Sequence, residues 1–392
     1  MRARRYQLKK DAVAVIERGH PWLFRAQMSS AAGVFDDGQW LRLVDGANRV
    51  VGHGIYETEG AIAVRVLRRG PDVPDAAWVS AQLAAAIAKR EPLRERTTGI
   101  RLLHGESDGV PAVVVDQFGD VIVVASYSTG ADGLARYVAH LLVGRASADG
   151  ATAASIVLRP ARRRRGPAVA ARSITRAPMP AIARFVEDGL ELAVDLEGGH
   201  KTGMYLDLRG LRRAIATAPL AGARVLNLFA YTGMLGRAAE AAGASEIVQV
   251  DQSARALAFA AEQHVTDQAK HRFVEADVFS WLPAHAVEAA GRYDLVIVDP
   301  PSMTSQSRQI PAVLAAYRKI YAAARELVAP GGALVAACCT SRVERPVFQA
   351  TVRGALGAGF ALERDLPPEL DHPAPFAQAD YLKIGWWRAS SR

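Results

Sequence analysis

Residue types able to do chemistry gather at the ends of apolar runs in the second half of the chain. Asp299-Pro300-Pro301 closes a run of Leu, Val and Ile. Neither proline can donate a ladder hydrogen bond, so the pair must end a central strand and fix a loop presenting Asp299 at the sheet edge. Cys338-Cys339-Thr340 closes the next run. Strand side chains alternate in direction, so at most one of these thiols can face a crevice. A thiolate there would be a nucleophile, and a carboxylate beside it could hydrogen-bond whatever the thiolate attacks. The competing reading makes both cysteines small, reduced core residues.

A second constellation suits a ligand rather than a reaction. Asn227-Leu228-Phe229-Ala230-Tyr231-Thr232-Gly233 leads off an earlier apolar run, and Gly233 would let the backbone approach a bound molecule. Asp251 ends the next run, where a carboxylate can accept hydrogen bonds from both ribose hydroxyls. Glu275-Ala276-Asp277-Val278 follows a third, with a carboxylate or amide able to address an adenine amino group. A strand-end aspartate is equally common as a purely structural device. The three-glycine dinucleotide fingerprint is missing, so a pyrophosphate has no evident cradle.

These residues need a scaffold that brings strand ends together. From about residue 186 the sequence alternates β and α: strands at Arg224–Phe229, Glu246–Asp251, Arg272–Glu275, Asp294–Asp299 and Ala333–Cys338, and helices at Leu235–Ala242, Ala254–His264, Ala312–Val328 and Arg345–Leu356. Apolar strands alternating with helices predict a doubly wound parallel sheet, whose ligands sit beyond the strands' carboxyl ends. Ala361–Asp365 and Tyr381–Trp387 then read as two strands with no helix between them. Such a C-terminal antiparallel hairpin is similar to class I methyltransferases and unlike dinucleotide dehydrogenases.

The first half has a different texture. Leu41–Val44 and Val50–Tyr56 flank the turn Asp45-Gly46-Ala47-Asn48, a hairpin within a small β-barrel. Pro71-Asp72-Val73-Pro74-Asp75 reads as a linker. A mixed segment follows, with helices at Ala77–Arg90 and Leu134–Val143 and strands at Ala112–Asp116, Val121–Ser126 and Ser155–Leu158. Three domains are expected, over 1–72, 73–185 and 186–392, consistent with a length of 392 residues.

The net charge of +8 rests largely on arginine, whose fork suits phosphate. Arg162-Arg163-Arg164-Arg165 is either a solvated loop or a nucleic-acid contact, and the overall basicity favours the contact. The two adjacent cysteines give neither a disulfide framework nor a metal spacing, which fits a reducing cytoplasm. No apolar run is long enough to cross a membrane, and no apolar core follows the basic Met1–Lys10. Nothing fixes the oligomeric state, and a homodimer stays open.

Taken together, these motifs resemble the RlmI-like family of ribosomal large-subunit RNA 5-methylcytosine methyltransferases, nearly end to end. Gly19-His20-Pro21-Trp22-Leu23-Phe24 resembles the family's PUA domain, Gly105-Glu106-Ser107-Asp108-Gly109-Val110-Pro111 its central domain, and the stretch from His200 to Arg209 its entry into the catalytic domain. The resemblance implies S-adenosylmethionine as cofactor, held by Asn227, Phe229, Tyr231, Thr232, Gly233, Asp251, Ser253, Asp277, Val278 and Asp299. It implies ribosomal RNA as partner, contacted by Arg162–Arg165, Lys201 and Pro300. It places the nucleophile, counted from Gly331-Gly332, at Cys339, with Asp299 as the second catalytic residue. Related RNA methyltransferases of this architecture carry asparagines at the cysteine position and act on guanine. One departure is Ser302-Met303-Thr304 after the two prolines, where relatives usually have a basic or phenyl residue.

Carbon 5 of cytosine is a poor nucleophile, and thiolate attack at carbon 6 turns the ring into an enamine-like species that can take a methyl group. The target base must leave its stack to be reached. Three other readings stay open: a guanine-directed RNA methyltransferase on the same scaffold, a non-catalytic RNA-binding or assembly factor, and a nicotinamide dehydrogenase.

Overall fold

The computed structural model describes residues 3–29, 34–148, 155–161, 169–199, 201–304 and 307–391. The chain forms two compact units. One comprises Met1–Val186, Val194–Leu206 and Leu370–His372; the other comprises Glu187–Ala193, Asp207–Glu369 and Pro373–Arg392.

The first unit holds two five-stranded sheets. In the N-terminal one, the strands lie in the order Arg4–Gln7, Trp40–Val44, Val50–Tyr56, Ile62–Arg69, Trp22–Phe24. The expected hairpin is present: Asp45 Oδ1 accepts from the Ala47 and Arg49 amides, and Asn48 takes a φ of 65°. The second sheet runs from Arg172–Ser173 through Ser155–Arg159, Val121–Ser126 and Val113–Phe118 to Gly99–His104. Helices Ala76–Lys89 and Asp132–Ala148 share its core.

The second unit is the doubly wound sheet. Its strands are β1 (Arg224–Leu228), β2 (Glu246–Asp251), β3 (His271–Glu275), β4 (Tyr293–Val298), β5 (Val328–Cys338), β6 (Phe360–Leu366) and β7 (Lys383–Ala389), and they lie in the order 3-2-1-4-5-7-6. β1 to β5 are parallel, whereas β7 runs antiparallel to both β5 and β6. Helices α1 (Met234–Ala241), α2 (Ala254–Gln263), α3 (Val278–Glu288), α4 (Ile310–Arg325) and α5 (Arg345–Leu356) connect them. α3 had no counterpart in the sequence reading, which left the link between β3 and β4 unassigned.

Alternation along the strands divides the core between two faces. Leu226, Leu228, Val248, Val250, Val296, Val298, Leu334, Ala336 and Cys338 pack with Tyr317, Tyr321 and Phe348. Val225, Ile247, Leu295, Ile297, Val335 and Ala337 pack on the opposite face with Leu211, Ile215 and Leu235. Each fully buried aliphatic side chain contributes about 1.5–3 kcal/mol, enough to hold strand ends in fixed register. That register sets Leu228 of β1 opposite Val298 of β4, and Val298 opposite Ala336 of β5.

Candidate active site

β4 is buried through Val298 and stops at the prolines, as their missing N–H groups require. Asp299 is half-buried, Pro300 buried and Pro301 exposed. On the neighbouring strand the two cysteines part company. Cys338 has no exposed surface and lies in the core against the α4 tyrosines. Cys339 is half-buried, and its thiol donates to the Pro300 carbonyl at 3.6 Å. The thiol therefore sits against the residue that follows Asp299.

The backbone carrying Cys339 is gripped from behind. The Tyr321 hydroxyl donates to the Ala337 carbonyl at 2.7 Å, and the Tyr317 hydroxyl lies 3.1 Å from Thr340 Oγ1. The Lys383 ammonium donates to the Thr340 carbonyl at 2.9 Å and to the Tyr381 carbonyl at 2.8 Å. Burial pushes both phenols above their ordinary range, so they serve here as neutral hydroxyls.

The loop after β1 has an unusual backbone. Phe229 and Tyr231, both bulky residues, take φ of 60° and 48°, and Gly233 takes 73°. Such left-handed conformations cost on the order of 1–3 kcal/mol each and concentrate at ligand sites. Asp251, at the tip of β2, holds this loop: Oδ2 accepts from the Tyr231 amide at 2.8 Å and Oδ1 from the Ser253 amide at 2.9 Å. A carboxylate has further lone pairs, so these bonds leave Asp251 able to accept from a ligand hydroxyl. Glycine is required at 233 by φ and by space, because a Cβ there would lie 2.7 Å from Ala260 Cβ and 2.8 Å from Gln249 Oε1.

The other expected ligand residues divide by burial. Asn227 lies wholly inside the sheet as the register partner of Gln249, to which its amide donates at 3.3 Å. Thr232 is nearly buried, and Val278 packs its side chain into the core, which leaves Val278 only its backbone to offer. Ser253 caps α2, and Asp277 caps α3, accepting from the Phe279 amide while remaining exposed. Lys201 belongs to the first unit, with its ammonium 4.5 Å from the Tyr205 ring centre. Arg162, Arg163, Arg164 and Arg165 lie outside the described residues. Among the described residues no acidic, histidine or cysteine cluster could hold a metal ion, and no helix is long and apolar enough to cross a membrane.

Several residues at the site gave no sequence signal. His264 is buried at the end of α2; one ring nitrogen lies 2.5 Å from the Thr232 carbonyl, and the other accepts from the Ala193 amide at 3.0 Å. Since Nε2 accepts, Nδ1 carries the proton and donates to the loop. Phe279 is exposed and meets the Phe229 ring edge-on at 5.4 Å. These contacts join side chains distant in sequence, and no local pattern announces them.

The donor set fits a nucleoside-bearing ligand: an acceptor carboxylate at a strand tip, a strained loop beside it, an aromatic pair, and a thiol with a carboxylate two strands away. Comparison with known proteins agrees. Residues 101–384 match the S-adenosylmethionine-dependent methyltransferase family, and residues 7–69 match a PUA-like domain. The chain is 33% identical over 393 residues to a ribosomal RNA large subunit methyltransferase of Deinococcus radiodurans, covering 97% of this chain and 96% of that one. It is 33% identical over 406 residues to ribosomal RNA large subunit methyltransferase I of Shewanella denitrificans, covering 97% and 98%. A solved methyltransferase complexed with S-adenosylhomocysteine superposes with a TM-score of 0.83 at 19% identity, over 98% of this chain and all of that one. An S-adenosylmethionine-dependent methyltransferase from Streptococcus mutans superposes at 0.82 with 20% identity and the same coverage. At that identity the likeness speaks for the fold.

Proposed function

The chain belongs to the S-adenosylmethionine-dependent methyltransferase family that includes the ribosomal RNA large-subunit methyltransferases, and from that membership we propose that it methylates carbon 5 of a cytosine in large-subunit ribosomal RNA through a covalent Cys339 adduct. The observation that carries the cytosine assignment is the Cys339 thiol, half-exposed and 3.6 Å from the Pro300 carbonyl beside Asp299. A guanine-directed enzyme would need no thiol at this strand end.

Bound S-adenosylmethionine supplies an electrophilic methyl group. Asp251 would accept from its ribose hydroxyls, the loop from Phe229 to Gly233 would hold it, and the Asp277 carboxylate with the Asp277–Val278 backbone would address the adenine. Asn227 supports that loop from beneath through Gln249. Cys339 forms a bond to cytosine carbon 6. Asp299 hydrogen-bonds the ring at N3 or the amino group and stabilises charge developing during attack. The electrons displaced from the carbon 5–carbon 6 double bond would let carbon 5 take the methyl group with S-adenosylhomocysteine as leaving group; loss of the carbon 5 proton to a base would then restore the double bond as the carbon–sulfur bond breaks and frees the thiolate. The fixed strand tips contribute chiefly by orientation and by excluding water. Lys201, Pro300 and the arginines at 162–165 are assigned to RNA positioning, and action on ribosomal RNA implies a cytoplasmic enzyme.

Mass analysis of nucleosides from ribosomal RNA of cells with and without this protein tests the assignment. Loss of a 5-methylcytidine is expected; loss of a methylated guanosine instead would overturn it. A second measurement concerns the cofactor. Asp251→Ala removes the acceptor of two loop amides and of the ribose, and hydrogen bonds to a charged group contribute about 1.5–3 kcal/mol. Calorimetry with S-adenosylhomocysteine should show affinity about 10- to 100-fold weaker; unchanged affinity would place the ribose elsewhere.

A further inference from the structure

His264 closes the C-terminal end of α2 and is 2% exposed. Its ring bonds two backbone stretches far apart in sequence. Nδ1 lies 2.5 Å from the Thr232 carbonyl oxygen; Nε2 lies 3.0 Å from the Ala193 amide nitrogen and 3.1 Å from the Ala193 carbonyl oxygen. A carbonyl can only accept, so Nδ1 carries a proton. Burial, reinforced by the Arg212 and Arg237 charges, holds the ring below the ordinary histidine range, which leaves Nε2 bare and accepting from the Ala193 amide. What Nδ1 holds is a single peptide plane. The Thr232 carbonyl and the Gly233 amide belong to one planar unit and point in opposite directions. The Gly233 amide donates to the Ala230 carbonyl at 2.8 Å, closing a turn in which Tyr231 takes a φ of 48°. Fixing the carbonyl therefore fixes the turn. The chain enters α1 immediately afterwards, with the Arg237 amide on the Gly233 carbonyl at 2.9 Å. Asp251 ties the same turn through the Tyr231 amide at 2.8 Å. A bulky residue in left-handed backbone persists only where its surroundings over-determine it, and these two side chains supply that constraint.

We propose that His264 is a positioning residue for the cofactor: by clamping the Thr232–Gly233 peptide it holds the strained loop in the shape that S-adenosylmethionine binds, and so sets cofactor affinity. The proposal rests on the reading of Phe229–Gly233 as the cofactor loop. The two ring nitrogens divide the work. Nδ1 holds the loop, whereas Nε2 anchors the ring to the Ala193 backbone, which fixes the direction in which Nδ1 donates.

Two substitutions separate these contacts. His264→Asn places an amide nitrogen where Nδ1 stands and keeps the donor to Thr232. His264→Gln carries its amide one bond farther out, toward Ala193, and loses that donor. Both should lower the melting temperature, because each gives up one buried contact. Calorimetry with S-adenosylhomocysteine on the full-length protein should tell them apart: binding about tenfold weaker in His264→Gln, and within about threefold of wild type in His264→Asn. Equal affinities in the two folded variants, or losses that simply follow melting temperature, would overturn the proposal. A further measurement needs only the wild-type protein. In nitrogen-15 spectra of histidine-labelled protein, a neutral ring protonated at Nδ1 should shift when S-adenosylhomocysteine is added; finding no such ring among the nine histidines would also overturn it. Asp251→Ala reports on the loop separately. Weakened binding in Asp251→Ala with unchanged binding in His264→Gln sinks the role of His264 alone, whereas unchanged binding in both removes the loop from the cofactor site.

Discussion

Cys339→Ala should lose methyl transfer by at least about a thousandfold while S-adenosylhomocysteine affinity and folded stability stay close to wild type. The asymmetry follows from where the sulfur sits. It is half-buried, outside the apolar cluster, and engaged with the Pro300 carbonyl through a weak thiol bond, so truncating it opens no large cavity. The cofactor loop, more than one strand away, draws its shape from Asp251, His264 and Gln249 and should not feel the change. Cys338→Ala reverses the pattern. It removes a core sulfur facing the α4 tyrosines, so it should cost stability on the order of 1 kcal/mol and leave transfer measurable. Single-turnover transfer of a labelled methyl group, with calorimetry on the same preparations, separates the two. Robust transfer by Cys339→Ala would remove the covalent mechanism.

That division between adjacent cysteines was legible in the sequence because strand alternation is a local rule, and the prolines after Asp299 marked the strand end for an equally local reason. β2 and α5 match the expected residues at both ends, since each is bounded by punctuation the chain carries itself. What escaped is what depends on tertiary contact or on an atypical residue. α3 contains Pro283, which removes an internal amide and reads as a break, yet its buried Val278 and Leu282 and its Asp277 cap hold it. The helix Arg209–Ala216 was missed because its core face carries two arginines among Leu211, Ala214 and Ile215. The turn at Asp188-Gly189 did carry a signal that went unused: both take positive φ, 48° and 83°, as an Asp-Gly pair favours between strands. Lys383 and His264 could not have been chosen in advance, because a lysine or histidine becomes informative only once its burial and partners are known.

The two missed arginines support the largest stability effect. Glu187 is 2% exposed and receives Arg212 at both oxygens, at 2.5 and 2.9 Å, and Arg209 at 3.2 Å. Both guanidinium groups are as buried as the carboxylate, and Arg209 also reaches Glu369, at 3.4 Å. Their helix packs Leu211 and Ile215 against Val225, Leu295 and Val335, directly behind the strands that carry the site. Glu187→Gln conserves shape and one acceptor but removes the buried negative charge that both guanidinium groups face, which should cost about 3–5 kcal/mol. Urea denaturation followed by tryptophan fluorescence would show it, since Trp386 and Trp387 lie in the same unit. The sign of the second step is the sharper test. Adding Arg212→Met to Glu187→Gln removes the charge that faced that carboxylate through two hydrogen bonds and should return part of the loss, so the double variant should be more stable than the single one. If it is less stable still, the arginine was contributing packing rather than bearing an unmatched charge, and the electrostatic account of this helix fails.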